Sequence, residues 1–166
     1  MDFKPDNIKT RCLNIKNMNE EFSRFQKLQN AIFSGRSMTS EINATNNTGF
    51  IEKLFPLIDE DLIIIAESPD NEPIGVLICL PDHYQLNFEN RITRARLISI
   101  GVIKKWQKQG TGLAMIQHLT QNLIMKNYLQ LEASYILQNN LPPQELLKKF
   151  HGKLIKTHVI YKKILI

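Results

Sequence analysis

The chain has little of what would settle its class at once. Only two cysteines, Cys12 and Cys79, occur in 166 residues, too few for a disulfide framework and without the spacing of a metal-ligand cluster. No metal site is therefore expected. The longest apolar runs, Leu62 to Ala66 and Ile74 to Pro81, fall far short of the about 20 residues that span a bilayer. The opening Met1-Asp2-Phe3-Lys4-Pro5-Asp6 carries no apolar stretch of the kind a signal peptide needs. Glycine and proline, at 7 each, are too sparse for collagen-like sequence, and no internal repeat shows. These absences exclude membrane-spanning, fibrous, disordered and disulfide-stapled classes. They point to one domain over residues 1–166 in a reducing cytoplasm, with no membrane partner.

What is present begins with charge. Twenty-one Lys and Arg against sixteen Asp and Glu leave +5, which fits a polyanion, a phosphate-bearing ligand or a basic solvated surface. The lysines near the C-terminus, Lys148, Lys149, Lys153, Lys156, Lys162 and Lys163, read as a solvated face. Several of them flank a predicted helix end, where cations are favourable in any protein. No helix-turn-helix or aromatic stacking cluster accompanies them, so a nucleic-acid partner is disfavoured.

Periodicity supplies the elements. Ile8 to Ile15 reads as a strand, and Phe22, Phe25, Leu28, Ile32 and Phe33 recur at helical spacing over Glu20 to Phe33. Gly35 to Gly49 is polar and loop-like, a candidate lid. Asp61 to Glu67 and Pro73 to Leu80 form a hairpin around Ser68-Pro69-Asp70-Asn71-Glu72. A strand over Ile92 to Val102, a helix over Thr111 to Asn127 and a strand over Gln130 to Leu137 come next. A helix starting near Pro142 and a last strand, Leu154 to Lys162, complete the chain. This order argues for an α/β (α+β) fold with a mixed, mostly antiparallel central sheet and helices on both faces.

The informative segment is Val102-Ile-Lys-Lys-Trp-Gln-Lys-Gln-Gly-Thr-Gly-Leu-Ala114. A strand runs into a basic loop, then into two glycines at the opening of an amphipathic helix. The first N–H groups of a helix have no helical partner, and the dipole makes that end partly positive. Glycine lets the backbone approach a ligand, and Lys104, Lys105 and Lys108 add charge. Those parts make a site for a phosphate group, most simply a diphosphate. The segment is not a P-loop, because no Lys-Ser/Thr follows the second glycine. Nor is it the dinucleotide fingerprint, because Met115 stands where a third glycine belongs.

Gln107-x-x-Gly110-x-Gly112 resembles the acyl-CoA signature of the GNAT superfamily of N-acyltransferases, Arg or Gln followed by two residues, Gly, one residue, and Gly or Ala. The hairpin ending Glu72-Pro-Ile-Gly-Val76 is similar to the second and third strands of that fold. Tyr135-Ile-Leu-Gln-Asn-Asn140 resembles the Trp-Ile-Leu-Glu-x-Asn fifth-strand segment of one bacterial branch. Pro81-Asp82, Arg94-Ala-Arg96, Phe150-His-Gly-Lys153 and Lys156-Thr-His-Val-Ile-Tyr161 also have counterparts there, so the resemblance covers most of residues 8–166.

The resemblance implies a cytoplasmic N-acetyltransferase that uses acetyl-CoA as cosubstrate and transfers its acetyl group directly to a small-molecule or peptide amine. The alternative is an inactive module of the same fold that binds CoA or a protein partner. Backbone groups from Ile100 to Val102 would meet the pantetheine arm, and Gln107, Lys108, Gln109, Gly110, Thr111, Gly112 and Leu113 would wrap the diphosphate. Asn140 matches the family asparagine that meets the pantetheine or thioester. The N–H near Val102 would polarise the thioester carbonyl. Glu132 and His83 are the general-base candidates, although Glu132 equally fits a structural ion pair and His83 a solvated loop residue. The family's general-acid tyrosine is replaced by Leu147, so thiolate release would use water, Tyr135 or Tyr161; Tyr135 also reads as a core aromatic. The acceptor pocket would be built from Phe33 to Phe55, and pairing of the last strand leaves a homodimer open.

Overall fold

Ile63–Glu67 is buried at every position, as a β-branched run covered on both sides should be. In the computed structural model this strand, β2, pairs antiparallel with β1 (Lys9–Cys12) on one side and β3 (Pro73–Pro81) on the other. Strand β3 pairs antiparallel with β4 (Arg94–Val102), and β4 pairs parallel with β5 (Gln130–Ala133). The sheet order is β1-β2-β3-β4-β5. The structure describes residues 7–33, 57–133, 135–159, 161, 163 and 164. The candidate lid Gly35 to Gly49, and nearly all of the acceptor region Phe33 to Phe55, lie outside them.

The chain divides into two compact units, Met1–Tyr135 and Ile136–Ile166. The first holds the sheet with α1 (Met18–Phe33) and α2 (Thr111–Met125); the second holds α3 (Leu141–Lys149). Among the described residues no helix is long and apolar enough to cross a membrane.

Helices α1 and α2 lie on opposite faces. Ile63 and Ile65 cluster with Leu13, Met18, Ile58 and Ile78, which assigns their side of β2 and β3 to α1. The alternate positions face α2, whose Met115, Ile116, Leu119 and Leu123 are buried. Gly75 shows how close that approach is. A Cβ there would stand 3.2 Å from both the Gly101 carbonyl oxygen and the Met115 methyl. Arg11 ties α1 to the sheet, reaching Glu21 at 2.9 Å and Glu67 at 2.8 Å.

Three expectations are corrected. The first strand stops at Cys12 because Asn14 caps a short 3-10 turn, Ile15–Asn17, by accepting from the Lys16 N–H. The fifth strand ends at Ala133 instead of running to Leu137, since β4 offers it a register only over residues 94–97. The last strand, Leu154 to Lys162, is not formed among the described residues. Alternating apolar residues give a segment the capacity to pair, but a strand exists only with a ladder partner. Leu154, Ile155, Val159 and Tyr161 are exposed instead.

Candidate functional site

Strand β4 changes partner part-way along its length. From Arg94 to Leu97 it is flanked by β3 and β5; from Ile98 onward β3 is its one ladder partner among the described residues. The register with β3 shifts at this point, Leu97 facing Cys79 and Ser99 facing Ile78, so Ile98 is an extra residue in β4. Such a bulge bends a strand and re-aims the residues beyond it. In an antiparallel ladder, residues bonded to the partner alternate with residues whose N–H and C=O point away. The Ile103 N–H donates to the Ile74 carbonyl at 2.9 Å. Gly101 is therefore the next residue turned toward β3, and Ile100 and Val102 turn their backbone groups to the open side. They have no ladder partner there among the described residues. The Val102 carbonyl accepts from Gln107 Nε2 at 2.9 Å.

The open edge leads into the glycine-bearing loop. Lys104–Trp106 forms a 3-10 turn, closed by the Gln107 N–H donating to the Lys104 carbonyl at 3.3 Å. Lys108 then takes φ 60° and Gly110 φ 84°, left-handed conformations that favour glycine and cost most other residues energy. The Ala114 N–H is the first of α2 to find a helical partner, the Gly110 carbonyl at 2.9 Å. The N–H groups of Thr111, Gly112 and Leu113 stay outside the ladder, as a helix start requires. Those of Lys108, Gln109 and Gly110 precede them without a backbone partner among the described residues. Two side chains fix the loop: Thr111 Oγ1 donates to the Trp106 carbonyl at 2.9 Å and Gln109 Nε2 to the Lys105 carbonyl at 2.8 Å. Lys104, Lys105 and Lys108 are exposed around it. The result is a cluster of N–H groups without backbone partners among the described residues, inside a rim of lysines, an arrangement that can take an anion.

The expected catalytic residues are not all brought together. Val102 sits at the loop end of β4, paired with Gly75, while Glu132 pairs in register with Arg96. Six residues at about 3.3 Å each separate the two ends. His83 opens a 3-10 turn beyond the end of β3 and so lies at the Glu132 end; its Nε2 is 3.3 Å from the Leu57 carbonyl. Glu132 Oε1 is 3.7 Å from Arg96 Nη1, which realises the ion-pair alternative. Tyr135 is exposed, which overturns its reading as a core aromatic, and Tyr161 is exposed as well. Asn140 stands at the start of α3 and makes no capping bond; Leu147 is half-buried in that helix.

Sequence reasoning did not single out the charged cluster at the Glu132 end. Asp82 is 2% exposed. It accepts from Arg94 Nε at 2.6 Å and lies 3.1 Å from Arg96 Nε. Burial alone would raise the Asp82 carboxyl, but the hydrogen bond from Arg94 and the charges of Arg94 and Arg96 outweigh it and hold the group below the usual carboxylate range. Gln85 supports the cluster from below by accepting from the Thr93 and Arg94 N–H groups, each at 2.8 Å. Arg-Ala-Arg on a strand puts both guanidinium groups on one face, and that spacing was the available signal. Among the described residues no group of three or more His, Cys, Asp or Glu is placed to hold a metal ion.

No family model matches the chain, and no curated protein does. Solved structures do. An aminoglycoside acetyltransferase from an uncultured soil metagenomic sample, in complex with sisomicin, superimposes with TM-score 0.67 at 16% identity, over 95% of this chain and 96% of its own. Aminoglycoside N-acetyltransferase AAC(6')-Iy in complex with CoA gives 0.67 at 14% identity over 94% of each chain. A GNAT family acetyltransferase from Staphylococcus aureus gives 0.61 at 14% identity, over 95% of this chain and 99% of its own. The fold is that of the GNAT acetyltransferases: a mixed, mostly antiparallel five-stranded sheet with helices.

Proposed function

We propose that the chain is a single-domain, acyl-CoA-dependent N-acetyltransferase that transfers acetyl from acetyl-CoA to a small-molecule or peptide amine by direct attack in a ternary complex. The observation that carries this reading is the continuity of the open edge of β4 with the N–H-lined loop. Main-chain N–H groups from Lys108 to Leu113 hold the diphosphate, and the exposed lysines offset its charge. Ile100 and Val102 pair with the amides of the pantetheine arm much as a strand would. The Gln107 side chain is committed to the Val102 carbonyl, so Gln107 contributes through the loop's shape. Of the two outward N–H groups, that of Ile100 stands nearer the bulge and Glu132, and it is the better placed to polarise the thioester carbonyl. The complexes of the structural relatives, one with CoA and one with an aminoglycoside, support a CoA ligand and an amine acceptor.

The acceptor nitrogen forms a bond to the thioester carbon and the C–S bond breaks. Glu132 takes the proton that the nitrogen sheds, and the leaving thiolate gains one from Tyr135 or water. Alignment of two bound reactants supplies much of such a rate, so a strong acid at position 147 is not essential. Two unpaired cysteines suit a reducing, cytoplasmic setting. Leu147, and the lack of a carboxylate in β4, favour an inactive, CoA-binding module instead. The test is release of free thiol from acetyl-CoA in the presence of an amine panel. Amine-dependent release establishes the enzyme; CoA binding without release establishes the module.

A further inference from the structure

We propose that Arg96, set against the buried Asp82, is the positioning residue that holds the Glu132 carboxylate in place. The inference rests on the acyltransferase reading, with Glu132 as base, and assigns roles to two residues which that reading leaves idle.

The geometry runs along one face of the sheet. Arg96 stands opposite Leu80 on β3 and Glu132 on β5, so its side chain projects on the α1 face, as does that of Glu132. Asp82 Oδ2 is the anchor: Arg94 Nε lies 2.6 Å from it and Arg96 Nε 3.1 Å. Arg94 also brings its Nη2 to the same oxygen, so Arg94 is committed to Asp82. Arg96 meets Asp82 as an ion pair, its buried Nε having no hydrogen-bond partner among the described residues. A guanidinium is planar, so this charge contact limits the directions open to its terminal nitrogens. One of them, Nη1, is 3.7 Å from Glu132 Oε1. Two residues further along β4, at Ile98, the sheet loses β5 and the edge opens. A carboxylate held here is at the branch of the two strands, beside the path of the reacting end.

Other charges near this face are accounted for. On α1, Glu21 pairs with Arg11, Arg24 donates to the Asn71 carbonyl and approaches Glu67, Glu20 accepts from Asn17, and Lys27 is exposed. Burial opposes the charge of Arg96, and the charges of Asp82, Glu132 and Tyr135 favour it. Among the described residues Arg96 is a cation that Glu132 faces, and an opposite charge at that distance favours one orientation of the carboxylate.

The test uses the full chain and two readouts. In protein labelled at the glutamate carboxyl carbons, NMR follows the Glu132 carboxyl directly. Arg96→Gln should shift its signal, and Arg96→Lys should restore part of the difference. Kinetically, kcat with an amine that responds in the panel should fall about tenfold in Arg96→Gln and Asp82→Asn, a misplaced reacting group being costly, while KM for acetyl-CoA is kept. Retained CoA affinity shows that each variant is folded, and Arg96→Lys serves if Asp82→Asn is not. An unmoved Glu132 signal with unchanged kcat in Arg96→Gln overturns the proposal. Glu132→Gln separates the two levels. If it leaves turnover intact, the assignment of Glu132 as base fails. If it removes turnover while Arg96→Gln moves neither readout, only the positioning role fails.

Discussion

Gly110 carries φ 84° at the entry to α2, so any L side chain there is strained by about 1 kcal/mol. Gly110→Asp and Gly112→Asp set bulk and negative charge against the diphosphate, and both should abolish CoA binding in isothermal titration; unchanged affinity would remove the phosphate-loop assignment. Gly110→Ala is the control for strain, with lower stability but most of the affinity kept. His118 gives a pH dependence. It is half-buried, with Nδ1 2.9 Å from Thr10 Oγ1 and Nε2 3.8 Å from Cys12 Sγ. Burial holds its pKa below the ordinary 6.5, so on acidification the unfolded chain takes up this proton before the folded one. The stability contributed by the neutral ring is full above about pH 6.5 and is lost progressively below it. His118→Gln should flatten the fall of Tm between about pH 6.5 and 5, and an unaltered slope would contradict the assignment. Burial raises both thiols, that of Cys79 up to about 12, which disfavours the thiolate. None of these environments was legible in the sequence, where His118 is one polar position on an apolar helix.

At the scale of elements, the loop and α2 are joined through Thr111, which is 1% exposed and donates to the Trp106 carbonyl. Thr111→Val keeps the shape and leaves that carbonyl without its donor, a loss of about 1–2 kcal/mol. CoA affinity should fall with little change in far-UV circular dichroism; unchanged affinity would show that the loop holds its form without the bond. Element types were readable because helix and strand periods are local. Helix α1 begins two residues before its expected start and β4 two residues after its own, since ends depend on caps and turns. The bulge at Ile98 was invisible: Arg94 to Val102 reads as an uninterrupted strand, and only its pairing with β3 shows that one residue is surplus.

For the whole molecule, Leu147 tests whether its helix serves stability or chemistry. Half-buried in α3, it should cost about 1–2 kcal/mol as Leu147→Ala, lowering Tm by roughly 2–6 °C with turnover per folded molecule kept. A normal Tm with lost turnover would contradict this. The net charge of +5 also resolves at this scale. Arg11, Arg94, Arg96 and Lys126 are held in ion pairs, while Lys104, Lys105 and Lys108 surround the loop. The sum alone could not separate the two groups.

The sequence by itself determined the class of fold, the order of its first elements and the glycine-bearing loop at the start of α2. Each of these comes from side-chain period, turn chemistry or glycine placement within a few residues. Only the tertiary structure decided that among the described residues β4 pairs with β5 over residues 94–97 alone, that Val102 and Glu132 stand toward opposite ends of that strand, that Arg96 lies against both Asp82 and Glu132, and that no strand forms among the described residues of 154–162. Those outcomes depend on residues far apart in the chain, because a ladder partner is chosen by register and packing, which no local window contains.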